Sequence, residues 1–369
     1  MFRRHWSGLP KDPSFSSDLK SLGYFINEDD EVRSIENPGY YFKFFLNRNA
    51  RVNARQRFAF DQALEREIHE RLEARGLQKV RLPLGARPDE PHVPVLTSAG
   101  LGSKSHVVIV VGEPSQDLGV LALRVVNGPG GIDKGSAGQL HWWPEGGRGL
   151  RVTASSDVAL PSAVYYGRRH VSALNSIPSN ENPARHVAHV FDTVVRDMTS
   201  PSARISVVAV GESCELMTKF LDDEANWAAW GPRLNCMVLL GNVYPDDGLE
   251  NPALKQFLAK ASHRARAYVV SDLPLGSPLA PPSGNPREGI PNLGCPCYAS
   301  SEALYTEMIL VRDLASVLEY VQQAALAPDF ENPPIVVVER PEEPALTDDA
   351  WANVPEHELP SISTAASCT

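Results

Sequence analysis

The sequence lacks the long apolar segments that membrane insertion and secretion require. None of its 369 residues belong to a run of about 18 consecutive apolar residues, so we expect no membrane-spanning helix and no membrane partner. The N-terminal residues 1–15 include two arginines but no apolar stretch, so we expect no secretory signal and no secretion.

Cysteine is scarce, and basic residues are outnumbered. The five cysteines are odd in number and scattered, which is typical of free thiols in a reducing compartment, the nucleus and/or cytoplasm. There are 35 Lys and Arg against 45 Asp and Glu, for a net charge of −10. We therefore expect no broad basic surface for nucleic acid and no direct nucleic-acid partner, although this balance leaves room for a local basic patch.

Motifs for metals and cofactors are also missing. Cys295 and Cys297 are one residue too close for a C-x-x-C pair. His186 and His189 lie one helical turn apart without further ligands nearby, and the glycine-rich residues 128–138 lack the spacing of a phosphate loop. The sequence therefore predicts no metal and no cofactor.

The acidic charge is concentrated at the C-terminal end. Residues 339–369 carry seven acidic residues and one basic residue, and they are rich in Pro and Ser, a composition typical of disorder. We predict a flexible N-terminus, one domain and a disordered acidic tail, at residues 1–17, 18–330 and 331–369. The domain divides into an arm and helix at 18–76 and a sheet core at 77–330, with an irregular insertion at 128–185.

Short β-branched runs alternate with helical patterns along the chain. Strands are predicted at 79–84, 105–113, 205–211, 234–241, 266–272 and 293–300, with further strand segments at 139–152 and 162–167. Helices are predicted at 51–75, 119–127, 181–198, 212–230, 251–265 and 303–326. The aromatic residues 40–45 are interpreted as an edge strand. This rhythm predicts a mostly parallel sheet with helices on both faces, and its order resembles an α/β-hydrolase.

The most informative segment is G-E-S-C-E, which follows the strand at 205–211 and opens a helix. An α/β-hydrolase has G-x-S-x-G at this turn, with the serine as nucleophile. Ser213 and Gly211 match this motif. Glu215 stands where the motif has glycine, which disfavours a tight elbow.

The partners of a catalytic serine are incomplete in this sequence. Asp272 ends a predicted strand and is a candidate acid, but no histidine follows the last strand, so His141 or His170 from the insertion would have to act as base. Pro114 has no N–H for an oxyanion hole, and Glu113 would bring negative charge to it.

Three interpretations remain open at this stage. The chain is a serine hydrolase using Ser213 and Asp272, a small-molecule binder, or a non-catalytic hydrolase-like domain. The last would keep only a vestigial cleft, formed by Gly112, Glu113, Gly211, Cys214 and Glu215.

An ordered series of segments carries a family resemblance. It includes LGYFINEDDEVRSI, KVRLPLGARPDEPHVPVL, VVIVVGEPSQDLGV, GQLHWWPEGGR, VVAVGESCE, LNCMVLLGNVY and GCPCYASSEALYTEMI, between about residues 18 and 326. The series resembles the fungal Argonaute-binding protein 2 domain family, which is related to the C-terminal domain of fungal class II histone deacetylases. The resemblance implies an α/β-hydrolase-like fold and a role in RNA silencing and heterochromatin formation. It also implies a protein partner, either Argonaute or a histone deacetylase complex.

Overall fold

The computed structural model describes residues 13–114, 116–142, 150–155, 176–241, 248–259 and 264–326. The predicted tail at 331–369 lies outside these residues, as do residues 143–149 and 156–175 of the predicted insertion. The domain boundaries and the disorder of the tail therefore stay predictions.

Eleven strands occur in the described residues. β1 (Tyr24–Ile26) and β2 (Val32–Ser34) form a small antiparallel pair. The other nine form one sheet: β3 (Leu77–Leu82), β4 (Val93–Ser98), β5 (His106–Val111), β6 (Leu150–Ser155), β7 (Arg204–Val210), β8 (Leu234–Leu240), β9 (Ala265–Val269), β10 (Pro278–Ala280) and β11 (Cys297–Ala299).

The order of the large sheet is β10-β11-β9-β8-β7-β5-β6-β4-β3. Only β4 and β10 run against the other strands. Counted along the chain within this sheet alone, β5 is the third strand and β7 the fifth. The two are neighbours, so the segments that follow them meet at one edge of the sheet. An α/β-hydrolase places its oxyanion loop and its nucleophile at these two positions. The predicted α/β-hydrolase-like, mostly parallel sheet is confirmed.

Helices cover both faces of this sheet. They are α1 (Ala50–Ala74), α2 (Leu123–Val126), α3 (Gly131–Gly135), α4 (Pro183–Val190), α5 (Ser213–Asp222), α6 (Glu224–Trp230), α7 (Pro252–Ala259) and α8 (Thr306–Leu326). α4 continues through a π-helical turn at Phe191–Val195 and ends with Arg196–Met198. One hydrophobic core lies between the sheet and the four helices α4, α5, α6 and α7. The other core lies between the opposite face of the sheet and α1, α2, α3 and α8. β7 and β8 are apolar along their length because both of their faces are buried.

Three predicted elements need correction here. The segment 119–127 is helical only at Leu123–Val126, and residues 139–142 lie in a 3₁₀ helix that precedes the strand at Leu150. The helix predicted over 212–230 divides at Asp223, whose side chain accepts a hydrogen bond from the N–H of Asn226 and so starts α6. In addition, the Pro-rich residues 273–292, for which no strand was predicted, contain the short strand β10.

Strand β4 was not predicted either, because Pro94 and the nearby prolines resemble a loop. β4 pairs with β3 along its whole length, and within the described residues it also pairs with β6 at Leu96 and Ala154.

The aromatic residues 40–45 do not form the predicted edge strand. The Phe42 ring is buried and stacks on the Phe60 ring of α1 with their centroids 4.0 Å apart, and Tyr24 packs edge-on against Phe60. The other rings of this segment are partly or largely exposed.

Truncating Phe60 tests the importance of this packing. The Phe60 side chain is fully buried, so Phe60→Ala should lower the free energy of unfolding by about 3–5 kcal/mol. Phe45, 91% exposed, provides the control, and Phe45→Ala should change stability by less than about 0.5 kcal/mol. Urea denaturation measures both, and equal midpoints for the two variants would contradict this packing.

Candidate functional site

The candidate site lies where β5 and β7 end. Val111 is opposite Ala209 in the parallel ladder, so Gly112 and Glu113 lie beside the turn that contains Gly211. The structure thus brings together four of the five residues predicted to form a cleft, including Cys214 in the first turn of α5.

Ser213 is the first residue of α5, and its side chain is fully buried. Its hydroxyl donates a hydrogen bond to the backbone carbonyl of Gly112, at 2.6 Å. A nucleophile elbow instead exposes the serine oxygen above the sheet. The hydrogen bond to Gly112 ties the start of α5 to the segment after β5, so the hydroxyl has a clear structural role.

The sharp turn that an elbow requires is centred on Gly211. Gly211 has φ +60°, in the left-handed region, whereas Glu212 is already helical with φ −59°. In an elbow the nucleophile itself occupies the strained position of the turn. Here that position has no side chain, and Ser213 comes two residues later.

The carboxylate of Glu113 fills the space beside Gly211. A Cβ atom built on Gly211 would overlap the carboxyl group of Glu113. Oε1 of Glu113 accepts a hydrogen bond of 3.2 Å from the N–H of Glu212. Burial raises the pKa of Glu113 to about 7, and the negative charges of Glu212 and Glu307 act in the same direction. A carboxyl group therefore lies where a hydrolase would carry its nucleophile.

Cys214 and Glu215 contribute less to this cleft. Cys214 is fully buried, its thiol donates to the carbonyl of Ala209 at 3.3 Å, and burial raises its pKa, so it is not activated as a nucleophile. Glu215 points to solvent and pairs with Lys219 one turn along α5. The exposed direction of its side chain explains how the turn accommodates a large residue where the motif has glycine.

None of the candidate acid and base residues belongs to the turn at Gly211 or to the segment directly after β5. Asp272 is exposed beyond the end of β9, and β8 separates that strand from β7. His141 belongs to the 3₁₀ helix Ala137–Trp142, and His170 lies outside the described residues. Where a histidine would follow the last strand, the buried Glu302 accepts hydrogen bonds from the N–H groups of Leu304 and Tyr305 instead.

A cleft that no sequence motif indicates extends from Glu113 toward α8. It has a volume of about 640 Å³ and is lined by Phe44, Arg57, Glu113, Gln116, Leu123, Arg124, Asn127 and Glu307. The Gln116 amide donates to Oε2 of Glu307 at 2.7 Å across 191 residues of sequence, a pairing that no local motif encodes.

The described residues hold no group of three or more His, Cys, Asp or Glu side chains arranged for a metal ion. None of the described helices combines the length and the apolar character needed to cross a membrane.

Substitution of Gly211 tests the role of Glu113. Gly211→Ala should lower the free energy of unfolding by about 1–2 kcal/mol because of the left-handed backbone at this position. The overlap of the new Cβ atom with Glu113 should lower it further. Gly289→Ala is the matched control, because Gly289 has φ +68° but open space around a Cβ atom. When Glu113→Ala is added to Gly211→Ala, the extra loss of stability relative to Gly289→Ala should disappear in denaturant unfolding. Equal losses for the two glycine variants would contradict the overlap.

The structure was compared with solved structures. A histone deacetylase from Saccharomyces cerevisiae aligns at 14% identity and a TM-score of 0.42, over 71% of this chain and 96% of that one. The histone deacetylase Clr3 aligns at 14% identity and a TM-score of 0.39, over 78% of this chain and 47% of that one. The poly(3-hydroxybutyrate) depolymerase LpqC from Bordetella parapertussis aligns at 13% identity and a TM-score of 0.34, over 69% and 93%. These scores are low, so the fold assignment depends on the strand order of the sheet.

Comparison by sequence gives a clearer result. A search of curated proteins finds no match to this chain. The family model of the Arb2 domain, in contrast, matches residues 15–275, which include α1, strands β1 to β9 and the turn at Gly211. The chain therefore belongs to the Arb2 domain family.

Proposed function

We propose that this chain is a non-catalytic, α/β-hydrolase-like interaction domain that acts through protein contacts in Argonaute-dependent RNA silencing and heterochromatin formation. The single observation that carries the non-catalytic part is the hydrogen bond from the buried Ser213 hydroxyl to the carbonyl of Gly112. A carbonyl oxygen is not a general base, so this hydrogen bond does not activate the serine as a nucleophile.

The partner follows from the family. The sequence resembles Argonaute-binding proteins, and the match to the Arb2 domain is consistent with a role in protein binding. The net charge of −10 favours a protein over direct contact with nucleic acid. We therefore propose Argonaute as the partner, with a histone deacetylase complex as the alternative, in the nucleus and/or cytoplasm.

An exposed apolar segment provides a candidate contact surface. Within residues 35–46 the exposed large apolar side chains are Ile35, Tyr40, Phe44, Phe45 and Leu46, and Phe45 is 91% exposed. Aromatic residues are over-represented among the residues that dominate binding energy at interfaces. Phe42 anchors this segment to α1, so the exposed rings are presented from a fixed base.

Labelling with a fluorophosphonate probe tests the non-catalytic assignment. The purified protein should give no labelling above that of Ser213→Ala, while an active serine hydrolase in the same tube is labelled. Labelling and ester hydrolysis that both disappear in Ser213→Ala would instead favour a hydrolase using Ser213, Asp272 and a histidine of the insertion. Ser213→Ala should also lose about 1–3 kcal/mol of stability, because the carbonyl of Gly112 would be left without its buried partner.

A binding assay with purified Argonaute of the same organism tests the partner and its contact surface. Phe45→Ser should weaken binding about tenfold or more, as truncation of a central aromatic residue does. Leu326→Ser, at the exposed end of α8, is the matched control and should bind like the parent chain. If the parent chain fails to bind Argonaute, the proposed partner is wrong. If Phe45→Ser binds normally, the contact surface is wrong.

A further inference from the structure

The cleft beside Glu113 has buried hydrogen-bond acceptors that the protein leaves unpaired. Oε1 of Gln116 and Oδ1 of Asn127 are both buried, and neither has a partner among the described residues. Gln116 is only 8% exposed, and its Nε2 donates to the carboxylate of Glu307, which fixes which end of the amide is the acceptor. Buried acceptors are nearly always satisfied in native proteins, so these two atoms indicate a missing donor.

The charges of the cleft also favour a donor that is positive. Glu307 is neutralised, since Arg124 contacts its Oε1 at 3.0 Å and the N–H of Leu123 donates to its Oε2. Glu113 has no such cation and accepts only the N–H of Glu212 within the described residues. Burial is the largest cause of its raised pKa, and the nearby negative charges of Glu212 and Glu307 act in the same direction.

The two arginines of the lining are already occupied. The Arg124 guanidinium lies over the ring of Tyr305 at 3.8 Å as well as against Glu307. Arg57 lies over the ring of Phe44 at 4.9 Å and pairs with Asp61 at 3.6 Å. Neither arginine therefore supplies the cation that Glu113 lacks, and the rings leave apolar surface at the entrance.

We propose that this cleft binds a primary alkylammonium group, held by Glu113, Gln116 and Asn127, with its carbon chain against Phe44 and Leu123. An ammonium group has three N–H donors and no acceptor, which matches an acceptor-only set of protein atoms. The site shares Phe44 with the contact surface proposed above, whereas Glu113, Gln116 and Asn127 lie outside that surface. The same chemistry is offered by the lysine side chain of a protein and by a free aliphatic amine.

The proposed contact with Glu113 implies a pH dependence of known sign. An ammonium ion binds the ionised carboxylate and not the neutral acid. Because the pKa of Glu113 is about 7, affinity should fall as the pH drops through 7. The amine itself stays protonated over this range, since an alkylamine such as the lysine side chain has a pKa near about 10.4. Between pH 8 and pH 6 the ionised fraction of Glu113, and with it the affinity, should fall about tenfold.

An NMR-monitored titration of the full chain with n-butylamine tests the proposal. Butylamine should bind saturably, about tenfold more tightly at pH 8 than at pH 6, and 1-butanol should bind much more weakly. Glu113→Gln should weaken binding and abolish its pH dependence, and Gln116→Leu should weaken binding about tenfold. Glu215→Gln, which removes an exposed carboxylate of α5, is the control and should behave like the parent chain. Thermal unfolding shows which variants are folded.

A second titration distinguishes the two sources of the amine. Nα-acetyl-lysine N-methylamide should bind more tightly than butylamine if the site accepts a lysine within a polypeptide, and less tightly if it accepts free amines. Absence of saturable butylamine binding would overturn the proposal. So would equal binding of butanol, or an unchanged pH dependence in folded Glu113→Gln.

Discussion

The parallel pairing of β5 with β7, with Val111 opposite Ala209, determines the arrangement of everything at the carboxyl edge of the sheet. This register places the carbonyl of Gly112 within reach of the Ser213 hydroxyl. It also brings the carboxyl group of Glu113 to the empty side of Gly211. One ladder of backbone hydrogen bonds thus joins the start of α5 to the preceding loop and places an acid where a hydrolase has its nucleophile.

The high pKa of Glu113 and the unpaired acceptors are related consequences of this arrangement. Glu113 is drawn into a partly buried position near Glu212 and Glu307, and Arg124 compensates only Glu307. The helix α8 closes the opposite side of the cleft through Glu307, which holds the Gln116 amide with its oxygen turned away. A hydrolase-like sheet therefore retains a polar cleft at its usual position, with acceptors and negative charge in place of a nucleophile and base.

Periodic segments were predicted well, and irregular ones were not. Phe60, Leu64, Ile68 and Leu72 recur every four residues, and all four are buried on α1. β4 was missed because Pro94 interrupts its pattern, although the strand pairs with β3 from Val93 to Ser98. The aromatic residues 40–45 resemble a strand by composition, but of these six only Phe42 is buried, with its ring stacked on Phe60. In each of these failures a tertiary contact, and not local preference, decided the structure.

The sequence by itself determined the sheet and the location of the candidate site. The apolar β-branched runs of β5 and β7 can be buried only with helices on both faces, and their ends meet at one edge. Only the tertiary structure decided that Gly211, and not Ser213, occupies the sharp position of the turn. It also decided that Glu113 fills the adjacent space and that Glu307 completes the cleft. These contacts join residues 99 and 191 positions apart, which no local pattern of residues can specify.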